Sequence, residues 1–296
     1  DPQTGAILAM ANRPTYDLNH FSNATEAQFR NKAVVDIYEP GSTFKLITTS
    51  AALEEGVATP KSRFFDSGAI NVDGTTLHCW NKSGHGSQSL TEAVGNSCNT
   101  VQVNLALKIG KKKYYNYLDM FGITDATHVA LPAETSAIIK KEVGLTNVDL
   151  ATMSYGQGIA VTPIQLLTAV CSIGNEGLLM EPRIVKKMTD RSGKTVKTYN
   201  TKVVRKVVSA KTAAEMKSIV GKGGGGNAKV SGYRVGGKTG TADKVVGGKY
   251  TKDTYSSFVG MAPMEDPKLA VLVVVDSPKG TQFGSAVAAP IAQNFL

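Results

Sequence analysis

The chain has 296 residues, of which 42% are hydrophobic, and lacks any run of about 18 apolar residues, which excludes a membrane-spanning helix and predicts a soluble globular protein. Lys and Arg outnumber Asp and Glu by 33 to 24, and the resulting charge of +9 favours anionic surroundings such as nucleic acid, phospholipid or cell-wall polymer. The lysines are scattered, and the densest runs, at 110–115 and 205–211, are more typical of a solvated basic face than of a nucleic-acid groove, so we expect no nucleic-acid partner.

The first predicted element is a strand over residues 4–12, because TGAILAMAN is apolar and bounded by Gly and Asn. A helix follows over residues 39–56, where Pro-Gly precedes a serine and apolar residues recur at helical spacing up to Gly56. The first turn of this helix carries Ser42 and Lys45.

The rest of the chain divides into a helical middle and a strand-rich end. Residues 57–175 combine a hairpin, AINVDGTTLHCW, with helical segments that begin near positions 97, 112 and 162. Beyond residue 176 we predict one helix over 209–223, a mobile glycine-rich loop over 221–226, three strands ending near position 277, and a final helix from Ser285. This order predicts an α+β domain whose sheet is assembled from sequence-distant pieces, with a mostly helical subdomain at 57–175.

Three short motifs lie at the ends of these elements. In Ser42-Thr43-Phe44-Lys45 the outer residues share a helix face, so the amine can reach the hydroxyl, although the same pattern also fits a capped surface helix. Ser97-Cys98-Asn99 precedes a helix and alone would be a routine N-cap. The segment Lys238-Thr239-Gly240-Thr241 offers hydroxyls, an ammonium and a closely approachable backbone, or simply a glycine-rich strand edge.

Together and in this order, the three motifs resemble those of serine acyl-transfer enzymes of the penicillin-binding protein and β-lactamase type. The chain resembles the transpeptidase domain of class B penicillin-binding proteins nearly end to end, also through TGAILAMANRPTYDLN, GHGSQSLTEAV, SYGQGIAVTPIQL and SSFVGMAPMEDPKLAVLVVVD. Within that class it is most similar to sporulation-associated members of clostridial type. The resemblance implies a single domain over residues 1–296 with a central antiparallel sheet flanked by helices.

The same resemblance implies an enzyme on the outer face of the cytoplasmic membrane that cross-links peptidoglycan, is a target of β-lactams and serves spore-cortex synthesis. Because the chain starts without Met and stops in an apolar stretch, we expect an excised domain without its N-terminal membrane helix and pedestal. A membrane glycosyltransferase is the implied partner. Acyl transfer would require no cofactor.

The resemblance also implies a role for each motif residue. Ser42 would attack the D-Ala-D-Ala carbonyl of a stem peptide, Lys45 would be the base, and Ser97 would relay a proton to the leaving amine. Asn99 would hold Lys45 and the substrate amide, and Lys238 would lower the pKa of neighbouring groups. The strand segment Thr239-Gly240-Thr241 would bind the substrate, with both threonines on its carboxylate. The N–H groups of Thr241 and Ser42 would form the oxyanion hole.

Two alternatives share the motifs. A serine β-lactamase needs a base that activates water for deacylation, and the nearest acid to such a setting, Glu134 in LPAETSA, suits a structural role better. A non-catalytic β-lactam sensor or wall-binding scaffold could also retain all three motifs.

Residues 78–86, HCWNKSGHG, contain two of the four histidines, one of the three cysteines and the only tryptophan. His85 belongs to a feature shared with the family, GHG, and alone needs no metal. If the hairpin turns at Asp73-Gly74, Cys79 lies opposite Gly68 and can meet Asp66, His85 or His78 around one ion. A mixed Cys, His and Asp set suits Zn²⁺, and a metal-free hairpin is the alternative. The three cysteines are odd in number and far apart, so no disulfide framework is indicated.

Overall fold

The computed structural model describes residues 1–223 and 226–296. The predicted glycine-rich loop overlaps the gap: the preceding helix continues through residue 223, and Gly224 and Gly225 lie outside the described residues. No helix in the described ranges is long and apolar enough to cross a bilayer.

The helices of the described ranges fall mainly in the middle of the chain, with one at the C-terminal end. In chain order they are α1 (Glu26–Phe29), α2 (Lys32–Val35), α3 (Lys45–Glu54), α4 (Leu90–Gly95), α5 (Asn99–Ile109), α6 (Lys111–Met120), α7 (Asn147–Met153), α8 (Pro163–Gly174), α9 (Ala210–Gly223) and α10 (Gly284–Gln293). A 3₁₀ turn over Gly41–Phe44 leads directly into α3.

Most strands are short and form antiparallel pairs, whereas the last three strands along the chain are long. They are β1 (Arg63–Asp66), β2 (Ala69–Val72), β3 (Thr75–His78), β4 (Gly86–Ser89), β5 (Ile138–Ile139), β6 (Ile159–Ala160), β7 (Leu178–Met180), β8 (Lys187–Thr189), β9 (Thr195–Thr198), β10 (Val203–Lys206), β11 (Gly236–Val246), β12 (Lys249–Ala262) and β13 (Leu269–Asp276).

The central sheet is antiparallel in the order β11-β12-β13 and is covered by helices on both faces. Side chains alternate along a strand, so neighbours on β12 serve different layers. Phe258 is buried with the alanines of α10, whereas Val259 and Met261 join the core formed with α3, α8 and α9. This arrangement confirms the predicted α+β class and the flanked antiparallel sheet.

Two predictions about the sheet were wrong. Residues 4–12 form only one isolated parallel bridge, between Ala6 and Arg183, and Leu8 is 65% exposed, because in the described ranges nothing continues the hydrogen-bond ladder beyond that rung. Consequently the central sheet is not assembled from distant pieces: its three strands come from the continuous segment 236–276.

Helix α3 lies at the centre of the molecule, and its residues from Lys45 to Leu53 are all buried. Such a helix cannot show an amphipathic pattern, and its polar side chains must find internal partners. The Thr48 hydroxyl donates to the Ser154 carbonyl (2.8 Å) and contacts the Tyr114 hydroxyl (2.7 Å). The surrounding helices therefore fix α3, and with it the serine and lysine at its N-terminal end.

The hairpin predicted around Asp73-Gly74 is formed by β2 and β3. Both turn residues have positive φ angles, 47° and 87°, as a two-residue turn of type I′ requires. Ala69 pairs with His78, and the Cys79 N–H donates to the Gly68 carbonyl (2.9 Å), so Cys79 lies opposite Gly68 as expected.

Candidate active site

The Ser42 segment is held by close backbone packing. The Gly41 N–H donates to the Gly156 carbonyl (3.0 Å), and a Cβ at Gly156 would lie 2.2 Å from the Gly41 carbonyl oxygen. The Thr43 hydroxyl donates to the Pro40 carbonyl (2.7 Å). These contacts place Ser42 in the 3₁₀ turn just before α3, so the predicted helix includes the serine but begins with a tighter turn.

Lys45 joins the first two motifs. Its Nζ lies within hydrogen-bond distance of the Asn99 side-chain oxygen (2.6 Å), the Ser97 carbonyl (2.7 Å) and the Ser97 hydroxyl (3.1 Å). The Ser97 hydroxyl in turn donates to Ser42 Oγ (2.9 Å). The sequence-distant Ser42, Lys45, Ser97 and Asn99 therefore form one hydrogen-bonded network.

Burial tunes the basicity of Lys45. The side chain is fully buried, and burial together with the nearby Lys238 cation holds the pKa of Lys45 well below its ordinary value. In the described ranges no carboxylate forms an ion pair with it. A lysine in this state can accept a proton near neutral pH, which an exposed lysine cannot.

Ser97 has a backbone conformation that residues other than glycine rarely adopt. Its φ is +54°, in the left-handed region, at the turn between α4 and α5. Strain of this kind is retained where a side chain must be aimed. Here the turn directs the Ser97 hydroxyl to Ser42 and Lys45, while Asn99 starts α5 and donates from Nδ2 to the His78 carbonyl (3.1 Å).

The third motif lies on β11, opposite Ser256 to Val259 of β12. Gly240 packs against the Ser42 segment: a Cβ there would lie 2.5 Å from Ser257 Oγ and 3.0 Å from the Pro40 carbonyl oxygen. Lys238 is buried, and burial lowers its pKa to about 8. Thr241 is exposed, and its hydroxyl accepts from the Gly284 N–H (3.3 Å).

A second buried cluster lies behind the Ser97 turn. One donor atom each from Asp66, Cys79, His85 and Cys98 falls within 4.8 Å of all the others. His85 Nδ1 lies 2.7 Å from Asp66 Oδ2 and 3.7 Å from Cys79 Sγ, and the two sulfur atoms are 3.9 Å apart. Two thiols, an imidazole and a carboxylate form a donor set that suits a tetrahedral zinc ion.

Hydrogen bonds set the protonation of this cluster. Burial alone would raise the pKa of Asp66, but bonds from His85, the Gly68 N–H and Thr100 hold it well below the ordinary range. The hydrogen bond between the two thiols lowers the pKa of Cys79 to about 6 and raises the pKa of Cys98. Cys79 is therefore the thiol of the pair that loses its proton first.

The structure changes one member of the predicted metal set. His78 is exposed, and its side chain lies outside the cluster because adjacent strand residues point to opposite faces. Cys98 takes its place, buried between Ser97 and Asn99 in sequence with its sulfur turned into the cluster. Cys98 was not predicted as a ligand because it lies far from Cys79 along the chain. Its position between Ser97 and Asn99, inside the second motif, could have indicated that its side chain lies near the site.

Glu134 has the structural setting expected of it. Its carboxylate accepts hydrogen bonds from the Thr127 N–H (2.7 Å), the Thr127 hydroxyl (2.6 Å) and the His128 N–H (3.0 Å). Within the described ranges no carboxylate hydrogen-bonds to Ser42, Lys45 or Ser97.

Comparisons with known proteins agree with this geometry. The family model for the penicillin-binding protein transpeptidase domain matches residues 1–296. The chain is 44% identical to stage V sporulation protein D of Bacillus subtilis, over the whole chain and 47% of that protein. It is 32% identical to the peptidoglycan D,D-transpeptidase FtsI of Escherichia coli, over 98% of the chain and 48% of FtsI. The chain therefore spans about half the length of the curated relatives it matches.

A solved structure has the same fold. Penicillin-binding protein A of Mycobacterium tuberculosis, in its ceftriaxone acyl-enzyme complex, superposes with a TM-score of 0.88 at 26% identity, over 99% of this chain and 71% of that one. The expected fold type, an α+β domain like those of penicillin-binding proteins, is confirmed.

Proposed function

This chain belongs to the class B penicillin-binding protein transpeptidase family, and we propose that it is a D,D-transpeptidase that cross-links peptidoglycan stem peptides through an acyl-enzyme on Ser42. The observation that carries the proposal is the chain of contacts that runs from buried Lys45 through the Ser97 hydroxyl to Ser42 Oγ. An oxygen nucleophile, an amine of lowered pKa and a hydroxyl that bridges them are the parts that acyl transfer requires.

In the proposed acylation, Ser42 Oγ attacks the carbonyl carbon of the penultimate D-Ala and its proton passes to the Lys45 amine. The bond to the terminal D-Ala nitrogen then breaks, and the Ser97 hydroxyl relays a proton from Lys45 to that departing amine. The Lys45–Ser97 contact of 3.1 Å and the Ser97–Ser42 contact of 2.9 Å support this relay. An amine of a second strand attacks the ester and restores Ser42.

The charge that develops on the carbonyl oxygen would be stabilised by the N–H groups of Ser42 and Thr241. Loss of one such donor typically costs about 10²–10³ in rate. The packing of Gly240 against the Pro40 carbonyl supports this assignment, because it brings β11 beside the nucleophile segment. Thr239, Thr241 and the Lys238 ammonium would bind the substrate carboxylate, and Asn99 would hold both Lys45 and the substrate amide.

β-Lactams would acylate Ser42 because their strained amide imitates the D-Ala-D-Ala carbonyl, and the retained ring remnant would block attack by the second amine. The M. tuberculosis relative forms a ceftriaxone acyl-enzyme. No carboxylate in the described ranges hydrogen-bonds to Ser42, Lys45 or Ser97, which favours a transpeptidase over a β-lactamase.

A fluorescent penicillin distinguishes these functions. The wild-type chain should take up one label that persists through a long chase with unlabelled drug, and Ser42→Ala should take up none. Rapid loss of the label would establish a β-lactamase, and absence of labelling in the wild-type chain would establish a non-catalytic scaffold.

A structural zinc ion bound by Asp66, Cys79, His85 and Cys98 is a second part of this proposal. These residues are buried and their donor atoms already lie together, so the ion would neutralise thiolate and carboxylate charge without reorganisation. Since Cys98 separates Ser97 from Asn99, such an ion would brace the turn that aims both catalytic side chains.

Metal analysis of protein purified without chelators tests the zinc site. About one zinc per chain should be present, and Cys79→Ser and Cys98→Ser should each lose it. His78→Ala is the matched control, since this neighbouring histidine lies outside the cluster. Equal metal content in all four proteins would contradict the assignment.

The names of the relatives support a proposal for the biological setting. Similarity to stage V sporulation protein D supports a role in sporulation. We propose that this role is spore-cortex synthesis on the outer face of the cytoplasmic membrane, with an N-terminal anchoring helix and a membrane glycosyltransferase partner. Deletion of the gene should leave vegetative growth intact and yield spores with deficient cortex. A vegetative division defect would instead favour a role like that of FtsI.

A further inference from the structure

The net positive charge of this protein arises almost entirely in one segment, although Lys and Arg occur throughout the chain. Residues 183–206 contain nine Lys and Arg against one acidic residue, so they carry +8 of the net +9 of the whole chain. The remainder is almost neutral, with 24 basic and 23 acidic residues. The charge is therefore a local property of this segment rather than a general surface property.

Most of that segment is an exposed hairpin, which we call the basic ribbon and define as residues 184–198. Every residue in it is exposed. Its strands β8 and β9 pair Lys187 with Thr198 and Met188 with Lys197. At the base, the Tyr199 N–H donates to the Lys186 carbonyl (3.0 Å), which joins the ribbon to the body of the domain.

The cations of the basic ribbon have no acidic partners, in contrast to those at its base. Lys202 pairs with Glu181 (2.5 Å) and Arg205 with Asp119 (3.7 Å). The single acid of the ribbon, Asp190, accepts backbone N–H groups of its own turn. In the part of the chain that the structure describes, five ribbon cations form no ion pair: Lys186, Lys187, Arg191, Lys194 and Lys197.

These cations point to both faces of the ribbon. Residues directly opposite each other share a face, and successive residues alternate. Lys197 therefore shares one face with Met188, whereas Lys187 shares the other with Thr198. A planar bilayer can meet only one face of such a ribbon. An anionic polymer can pass along both, so the arrangement favours a polymer over a membrane surface.

The chain that follows the basic ribbon reaches the end of α3 that is far from Ser42. Helix α3 begins just after Ser42, and its last residue, Glu54, accepts from the Ser209 N–H (3.0 Å), three residues beyond β10. Ten helical residues span about 15 Å, so β10, the strand that follows the ribbon, leads to the opposite end of α3 from the nucleophile. A ligand that occupies the ribbon while its peptide reacts at Ser42 must therefore be extended.

We propose that the basic ribbon docks uncross-linked peptidoglycan strands through their carboxylates, at a distance from the catalytic serine. This inference rests on the proposed function, which supplies an extended polymer whose unreacted stem peptides each end in a carboxylate. Individual exposed ion pairs are weak, but several cations acting on one polymer hold it jointly. The ribbon would thereby keep a strand near the enzyme between successive cross-links.

The test compares three proteins for co-sedimentation with purified sacculi stripped of covalently attached wall polymers. The ribbon variant replaces Lys186, Lys187, Arg191, Lys194 and Lys197 by Gln. The matched control replaces five exposed lysines elsewhere: Lys61, Lys112, Lys141, Lys211 and Lys229. We expect binding by the ribbon variant to weaken at least tenfold at low salt, while the control loses less than about threefold.

Acylation by a fluorescent penicillin separates this inference from the proposed function. All three proteins should be labelled at the same rate, because none of the substituted side chains contacts the Ser42 network. If none of the three proteins is labelled, the transpeptidase assignment is refuted, and sedimentation then tests only whether the ribbon binds the polymer. Equal sedimentation of ribbon and control variants would overturn the docking proposal. The docking proposal would also be overturned if the wild-type protein bound anionic vesicles in preference to sacculi, or if it bound only sacculi that keep their attached wall polymers.

Discussion

Asn99→Asp provides a direct test of the claim that Lys45 works as a neutral base. The substitution keeps the size of the side chain but places a carboxylate oxygen where an amide oxygen lies 2.6 Å from Lys45 Nζ. At an effective dielectric constant of about 20, that separation corresponds to an attraction of about 6 kcal/mol. Burial of the new carboxylate offsets part of it.

Even half of that attraction would change the ratio of neutral to charged Lys45 more than 100-fold, since about 1.4 kcal/mol changes an acid–base equilibrium tenfold. The sign follows from the charge: a carboxylate stabilises the ammonium, so the pKa of Lys45 rises and less free base remains at pH 7. We therefore expect acylation by penicillin to fall at least about tenfold at pH 7 and to recover relative to wild type as the pH approaches 10.

The assay is the second-order rate of acylation by a fluorescent penicillin between pH 6 and 10. Asn99→Ala is the matched control, because it loses the same contacts with Lys45 and the His78 carbonyl without adding charge. It should be slower than wild type at every pH but should keep the wild-type profile. If Asn99→Asp and Asn99→Ala have the same pH profile, Lys45 is not the base.

Three further predictions concern charge, backbone packing and buried hydrogen bonds. Because burial lowers the pKa of Lys238 to about 8, acylation of wild type by carboxylate-bearing penicillins should slow as the pH rises from 7 to 9.5, whereas Lys238→Arg stays charged and should show no such decline. Gly156→Ala should lower the free energy of unfolding in urea by about 3 kcal/mol or more, because the new Cβ would lie 2.2 Å from a backbone oxygen. Gly56→Ala, also at positive φ but in open space, should lower it by only about 1–2 kcal/mol. Equal losses would contradict the packing argument. Thr48→Val removes the donor to the Ser154 carbonyl and leaves the Tyr114 hydroxyl with its long contact to the Met153 carbonyl (3.5 Å), so the free energy of unfolding should fall by about 1–3 kcal/mol, and an unchanged value would contradict the argument from buried hydrogen bonds.

The local geometry of each motif in the candidate active site was predictable from sequence. Ser42 and Lys45 share a helix face by spacing alone, and Ser97 with Asn99 lies at a helix start. The left-handed φ of Ser97, which aims its hydroxyl at Ser42, had no sequence signal, since Ser has no preference for that region.

The candidate metal cluster was predicted only in part. Hairpin register correctly placed Cys79 opposite Gly68, and the pairing of Asp66 with Gly86 between β1 and β4 brings Asp66 beside His85. Cys98 was missed because its approach depends on how α5 packs against the hairpin, a tertiary contact between segments with no shared periodicity. The prediction of His78 as a metal ligand was wrong for a local reason, because adjacent residues of a strand point to opposite faces.

The opening segment illustrates the limit of composition. Residues 4–12 have the apolar character of a strand, but strand formation depends on a neighbouring edge that supplies a continuous ladder. Only the rung between Ala6 and Arg183 is present in the described ranges. The three C-terminal strands, by contrast, were predicted closely because consecutive turns determine their pairing.

The most direct test of the central claim is muropeptide analysis after incubation of the enzyme with uncross-linked peptidoglycan strands. Wild type should release D-Ala and produce cross-linked dimers in equal amounts, and Ser42→Ala should produce neither. Release of D-Ala with shortened monomeric stems and no dimers, or dimers formed equally by Ser42→Ala, would contradict a transpeptidase that acts through Ser42.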